Sequence, residues 1–427
     1  MNIHVVQPGD TIYSIANNYG VSPERLSLEN DIIDPDNLII GEALVIIQPS
    51  QIYIVQEGDS LESIAKTHGT DIMDLLRNNP NISNRELYIG EEIVISYIST
   101  KTETIETNGF AYPFIDRSIL RKTLPYLTYL TIYSYQFTQN GSLVEIDDSE
   151  IIQISKEYGV VPIMYLTASY NGINIDTDIA HILISNTQVQ NTLIDNIMLV
   201  LRNKGYYGIN IDTPYIQPLD RQPYVDFIAN ITQRLNSEGF LVSVTIAPST
   251  FEVSTEIIYT GVDYVGLSQA ANNVLYQLTY AWRYPHSLPI SILPFDRVTE
   301  TLYNAITLIP PEKCTLGISN IGYIGEFPFF SSVINVYFIS YRSAIELAHN
   351  TGSIIQFNES SYSSYYRYIA NEHEYMAWFL DNRGIYPMIE YSGELGLQGL
   401  SIWNIMNFIT NTWLLIQTQF IIEKTYL

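Results

Sequence analysis

The sequence predicts an α/β architecture: a (β/α)8 TIM barrel with a small inserted subdomain between strands seven and eight, preceded by two small βααβ modules. Three observations carry this reading. The N-terminal part of the chain repeats at an offset of 49 residues, eight apolar strand-like runs follow with helical segments between most of them, and one interval, Gly322 to Tyr391, is too long for a plain connection.

The repeat needs no gap. It lays Val6-Gln7 on Val55-Gln56, Gly9-Asp10 on Gly58-Asp59, Ser14-Ile15-Ala16 on Ser63-Ile64-Ala65, Asn30 on Asn79 and Gly41-Glu42 on Gly90-Glu91. In each copy a short strand, His4 to Gln7 or Tyr53 to Gln56, runs into Gly-Asp-Thr or Gly-Asp-Ser, a turn whose polar side chain caps a helix. Ile12, Ile15, Ala16 and Tyr19 have helical spacing, Asn30 and Asn79 mark the end of the second helix, and Ala43 to Ile47 and Glu92 to Ser96 are the closing strands. The modules are therefore placed at 2–48 and 51–97, a polar linker at 98–107, and the barrel at 108–427.

The eight barrel strands are expected at Gly109 to Pro113, Tyr126 to Tyr133, Val160 to Thr167, Tyr206 to Asp212, Phe240 to Ala247, Asn273 to Tyr280, Cys314 to Asn320 and Leu397 to Asn404. Ser149 to Tyr158, Thr187 to Lys204, Gln222 to Ser237 and Phe295 to Leu308 have apolar residues at helical spacing, which favours a barrel over the runner-up, a doubly wound open sheet. The insertion is placed at about 322–391 and is rich in tyrosine around Tyr362 to Tyr368. Trp413 to Ile422 is broken by Gln417, Thr418 and Gln419 and falls short of the roughly 18 apolar residues of a membrane span, so it reads as a closing amphipathic helix.

Composition narrows the partners. Twenty Lys and Arg stand against 45 Asp and Glu, a net charge of -25, which repels phosphate backbones and anionic lipid and excludes nucleic acid and membrane as expected partners. Only 15% of residues are charged, against about 25% in an average protein, so uncharged polar residues and the 34 tyrosines must cover much of the surface. Such a surface suits sugars or protein contacts. Cys314 is the single cysteine and reads as a core residue; no metal or cofactor is expected. Met1 leads straight into the first module without a basic and apolar signal segment, which places synthesis in the cytosol.

The pattern V-Q-x-G-D-[ST]-[IL]-x-S-I-A over residues 2 to 96 resembles the LysM domain, a family that binds N-acetylglucosamine polymers. The resemblance implies a glycan groove between the first strand-helix loop and the loop after the second helix: Gly9, Asp10, Thr11 and Ile12 with Asp31, Ile32 and Ile33 in one copy, and Gly58, Asp59, Ser60 and Leu61 with Pro80, Asn81 and Ile82 in the other. The Gly-Asp turn and helix cap account for the first loop of each copy without any ligand as well.

Strand four ends Gly-Ile-Asn-Ile-Asp-Thr-Pro-Tyr. With Asn108 to Pro113, Leu278-Thr-Tyr-Ala-Trp282, Ile309 to Lys313, Leu316-Gly-Ile, Gly322-Tyr323 and Gly399-Leu-Ser-Ile-Trp403, it resembles the family 18 glycoside hydrolases, especially the spore-cortex N-acetylglucosaminidases that carry LysM repeats. In that family the stretch runs to Asp-Phe-Glu-Tyr. The Glu protonates the leaving oxygen, the substrate's N-acetyl group attacks the anomeric carbon, and the preceding Asp orients that group. Alternation along the strand aims Asn210, Asp212 and position 214 into the barrel mouth, and position 214 is Pro.

Proline has neither a titratable proton nor a backbone N–H, so the general acid, worth about 10² to 10⁴ in rate, is lost at Pro214. Strand six repeats the loss, with Ala281 where the family has Asp or Glu after Thr-Tyr. The vestigial site is then Asn210, Asp212, Tyr280 and Trp403, with no intact catalytic set, although Asp220, Glu252 or Glu326 from neighbouring loops are candidates to replace the acid. The leading expectation is a glycan-binding or structural pseudoenzyme, bound by its LysM pair to peptidoglycan or a chitin-like N-acetylglucosamine polymer. The resemblance implies a location in the spore cortex, coat or exosporium. Two alternatives stand beside it: an active cortex-lytic N-acetylglucosaminidase with a relocated acid, and a self-associating structural protein of a spore layer or cytosolic inclusion, in contact with itself or with spore-layer proteins.

Overall fold

The computed structural model describes residues 1–83, 85–99, 101, 103–170, 174–175, 177–213, 216, 218–246, 262–278, 295–327 and 336–425. Each N-terminal module is βααβ. The first runs Asn2–Val5, Ile12–Tyr19, Pro23–Glu29 and Ala43–Ile46, the second Pro49–Ile54, Leu61–His68, Ile72–Asn78 and Glu92–Tyr97, with the two strands of each antiparallel. Thr11 and Ser60 cap the first helices in reciprocal boxes with Ser14 and Ser63, each worth about 1 kcal/mol, and Gly20 and Gly69 end them in the left-handed region. Asn30 and Asn79 do more than stop a helix. Each side chain accepts from and donates to the backbone of the closing strand, at Val45 (2.7 and 2.8 Å) and Val94 (2.7 and 2.7 Å), so one amide ties the second helix to the sheet.

Eight parallel strands then close into a barrel: Glu103–Ala111, Tyr129–Phe137, Val161–Thr167, Gly208–Asp212, Leu241–Ile246, Asn273–Gln277, Cys314–Ser319 and Gly399–Trp403, the last pairing with the first. The first strand starts at Glu103, inside the segment read as a linker. Only Ile105 and Thr107 of its polar first half are buried, and Phe420–Ile422 adds a parallel strand along Glu103–Ile105, which supplies the pairing the sequence run does not advertise. Strand two starts three residues later than expected because Leu124–Tyr126, with Pro125, forms a 3-10 turn. The expected end of strand six, at Tyr280, lies outside the described residues. Cys314 is buried at the start of strand seven, and burial pushes its thiol up to about 12.

Between strands seven and eight lies an antiparallel sheet of five described strands, Ile321–Glu326, Val336–Ser340, Gln356–Asn358, Ser363–Ala370 and His373–Phe379, backed by the helix Tyr341–Thr351. The insertion ends earlier than residue 391, because Asn382–Glu394 is a barrel helix whose Ile385, Met388 and Ile389 pack into the barrel core. The helix backing the sheet buries Tyr341, Ala344, Ile345 and Ala348 against Tyr366 and Phe379, and Ile39 of the first module joins this second core.

The final helix, Thr410–Gln419, corrects the amphipathic expectation. All residues from Thr410 to Thr418 are buried, polar ones included, because the barrel lies on one side and both modules on the other. Gln417 donates to Asn78 of the second module, and both oxygens of Asp31 in the first accept from Thr410, its N–H and hydroxyl each at 2.9 Å. Tyr97 donates to Glu29 at 2.7 Å and so joins module to module, while Arg77 reaches the Pro125 carbonyl at 2.9 Å.

Two carboxylates are enclosed by this docking. Burial raises Glu29 to about 7 against the opposing pull of Tyr97 and Arg25, and burial beside Asp381 raises Glu42 to about 8. Glu42 shares its surroundings with Asp31, Tyr341 and Arg342, and Arg383 pairs with Asp381 nearby. A group raised in the folded state binds its proton more tightly there. Its stabilising contribution is complete below the unfolded value near 4.5 and is lost as pH rises through the folded value, here over about pH 4.5 to 8. Thermal melts are therefore expected to show Tm falling from pH 5 to pH 8.5, with a flatter profile in Glu42→Gln; a Tm that rises across this window in the unaltered chain contradicts the assignment.

Candidate functional site

The C-terminal ends of the barrel strands gather aromatic side chains. Phe110 of strand one, Tyr133 of strand two, Tyr165 of strand three and Leu275 of strand six form a separate buried cluster, with Tyr112 and Trp403 packed on it. Trp403 lies 4.9 Å from the Phe110 ring and 5.1 Å from Tyr133, and Tyr165 lies 5.6 and 4.8 Å from the same two rings. These separations suit edge and tilted packing rather than a flat stack. Asn320 fixes the far side of Trp403 by bonding both polar groups of the Asn404 backbone, at 2.7 and 3.0 Å.

Asp212 ends strand four fully buried, and the Tyr165 hydroxyl donates to its Oδ2. Its charge helps raise the phenol of buried Tyr224, after burial itself, the larger cause. Asn210, two residues earlier, points the same way but bonds inside the barrel: its amide donates to Ser243 Oγ at 2.9 Å, and its oxygen accepts from Thr245 at 2.7 Å. Thus Asp212 and Trp403 meet through a shared aromatic floor, whereas Asn210 belongs to the polar interior below. Pro214, Tyr280 and Ala281 lie outside the described residues. Beside the floor an open groove of about 620 Å³ is lined by Tyr112, Phe114, Tyr133 and Asp147, with Phe114 stacked on Tyr112 at 5.2 Å.

The candidate replacement acids have other partners. Asp220 is buried, with both oxygens 2.8 and 3.0 Å from His181 Nδ1, and Glu326 lies 2.6 Å from His373 on the insertion sheet. Glu252 is outside the described residues. Tyr165 and Tyr133 were not singled out from the sequence, although period-two alternation puts Tyr165 on the same face as Ile163 and Thr167. What the alternation lacks is the pairing between strands three and four, which sets Thr167 beside Asp212.

In the modules, the first-loop residues serve the turn. Asp10 accepts the Gln7 N–H at 2.7 Å, the main reason its carboxyl sits below the usual range, and Asp59 accepts the Gln56 N–H at 2.7 Å and the Tyr53 hydroxyl at 2.8 Å. Thr11 and Ser60 are caps, Ile12 is core and Leu61 packs on core, while Gly9 and Gly58 are exposed at positive φ. The second loops differ. Asp31 and Ile33 face the barrel and its insertion, with Ile32 against the first module's own core. Pro80–Ile82 forms a 3-10 turn with Asn81 exposed, opening on a cleft of about 440 Å³ shared with Arg25 and Glu29 of the first module. Among the described residues no cluster of three or more His, Cys, Asp or Glu is placed to hold a metal, and no helix is long and apolar enough to cross a membrane.

Comparison with known proteins agrees with this layout. Residues 4–46 and 53–96 match the LysM domain, and residues 93–407 match the glycosyl hydrolases family 18. The chain is 35% identical over its whole length to the whole of a cortical fragment-lytic enzyme from Bacillus subtilis (strain 168), and 32% identical over 99% of both chains to one from Bacillus cereus. The spore cortex-lytic enzyme SleL of Bacillus megaterium QM B1551, a solved structure, superposes with a TM-score of 0.81 at 27% identity, covering 99% of this chain and 98% of that one. The chain belongs to family 18 of the glycosyl hydrolases and carries two LysM domains ahead of its barrel.

Proposed function

We propose that this protein is a glycan-binding pseudoenzyme of bacterial spores, holding an N-acetylglucosamine-containing polymer, peptidoglycan, through its LysM part while its barrel performs no hydrolysis. One observation carries the reading: Pro214 stands two residues past Asp212, where the family needs a proton donor. A sugar alkoxide is a poor leaving group, and a side chain without a proton supplies none of the assistance that general acids give. Ala281 stands where the family has a second carboxylate after Thr-Tyr.

The surroundings support the reading. Asp220 and Glu326, the described candidates to replace the acid, are each paired with a histidine. The aromatic floor of Phe110, Tyr133, Tyr165 and Trp403 is assembled all the same, and such rings bind the apolar faces of sugars without any chemistry. The spore location is supported by relatives named cortical fragment-lytic enzymes and by the spore cortex-lytic enzyme SleL.

Two measurements test this. Incubated with cortex fragments, the purified chain is expected to release no new reducing ends above a boiled control; turnover that disappears in Asp212→Ala overturns the pseudoenzyme reading in favour of a relocated acid. Mixed with insoluble peptidoglycan, the full chain is expected to pellet with it, and a chain that stays in the supernatant at every concentration sinks the glycan part.

A further inference from the structure

The two LysM copies share a sequence register, so equivalent positions lie 49 residues apart and their surroundings compare directly. The comparison is unequal from the second helix onward. In the first copy Ile39 is 6% exposed; its equivalent Tyr88 is 64% exposed, and Ile89, the equivalent of Ile40, is 71% exposed. The Ile40 carbonyl accepts the Ile355 N–H of the insertion at 2.9 Å, and the Gly41 carbonyl accepts from Arg383 at 3.1 Å. A Cβ added at Gly41 runs into the Ile355 backbone, while one added at Gly90 meets nothing within 4 Å.

The same asymmetry reaches the loop after the second helix. Asp31 gives both oxygens to Thr410, and Ile33 packs with Tyr341 and Ile345. At the equivalent of Ile32, Asn81 is exposed between buried Pro80 and Ile82, its Oδ1 3.4 Å from Lys122 Nζ of the neighbouring barrel helix, and it lies beside an open cleft. Even the paired acids have parted. Glu42 is buried, whereas Glu91 keeps Arg85 at 2.6 Å and stays below the usual carboxylate range.

We propose that the two copies divide their work: the first is a clamp whose loop after the second helix is committed to the barrel and its insertion, and the second alone offers that loop to a glycan chain. The division rests on the glycan reading above. A glycan in the first copy's loop has to displace Asp31 from Thr410 and Ile33 from the insertion core, whereas at Asn81 it displaces solvent and one lysine contact.

A matched pair of full-length variants tests the clamp. Gly41 and Gly90 have nearly the same backbone, φ 88 and 86, so Gly41→Ala and Gly90→Ala carry the same conformational strain and differ in what the new methyl meets. Gly41→Ala is expected to melt at least about 4 °C below Gly90→Ala; equal shifts overturn the clamp. Thr410→Val, which keeps the side chain's shape and removes one bond to Asp31, serves if Gly41→Ala does not fold, and is expected to lower Tm as well.

Peptidoglycan pelleting tests the division. Asn81→Ala is expected to raise the half-saturating concentration about tenfold with Tm unchanged, while Gly90→Ala and Thr410→Val pellet like the unaltered chain. Loss of pelleting in Thr410→Val with full pelleting in Asn81→Ala reverses the assignment. If the unaltered chain does not pellet, the glycan reading fails and takes the second copy's role with it, while the paired melting temperatures still judge the clamp.

Discussion

The burial of the last helix, Thr410–Gln419, holds the molecule together. A helix packed on one side of a barrel normally shows water a polar face. This one has no such face, and its Asn411, Gln417 and Thr418 are enclosed with its Trp413 and Leu415. Enclosed polar groups are costly unless bonded, which makes the partners Asn78, Asp31 and the barrel part of the helix's own stability. Barrel and modules are consequently packed on one another through this helix, and Tyr97 donates to Glu29 across the seam between the modules.

The barrel mouth is held together by contacts that do not depend on chemistry. The Asp212 carboxylate has the Tyr165 hydroxyl as donor, and the rings around it pack on one another. A proton donor is needed only while a glycosidic bond breaks, so on the proposed reading its loss at Pro214 would not by itself undo the packing of this floor.

Much of this was legible in the sequence because it is periodic. The gapless repeat defined both modules, and apolar runs at strand length located all eight barrel strands, several to within one or two residues at each end. Where the reading slipped, the deciding contacts were distant in sequence. Glu103–Thr107 looks like a linker until Phe420–Ile422 is seen pairing with it, and Trp413 to Ile422 looks half-exposed until two modules are laid over it. In the site, Asp212 and Trp403 were readable as strand ends, but Tyr165 became visible only through the register of strands three and four. The unequal surroundings of the two copies were invisible, since a shared register does not say which of them is covered.

The short passage from Tyr97 to Glu103 now takes on a different meaning. Flexible tethers raise the local concentration of what they join but leave its direction free. Here the passage joins parts already fixed to each other at Asn78, Arg77 and Asp31, so it transmits orientation. On the division of the modules proposed above, a polymer strand gripped at the second module would meet the barrel at one angle and one distance, as along a rigid gauge.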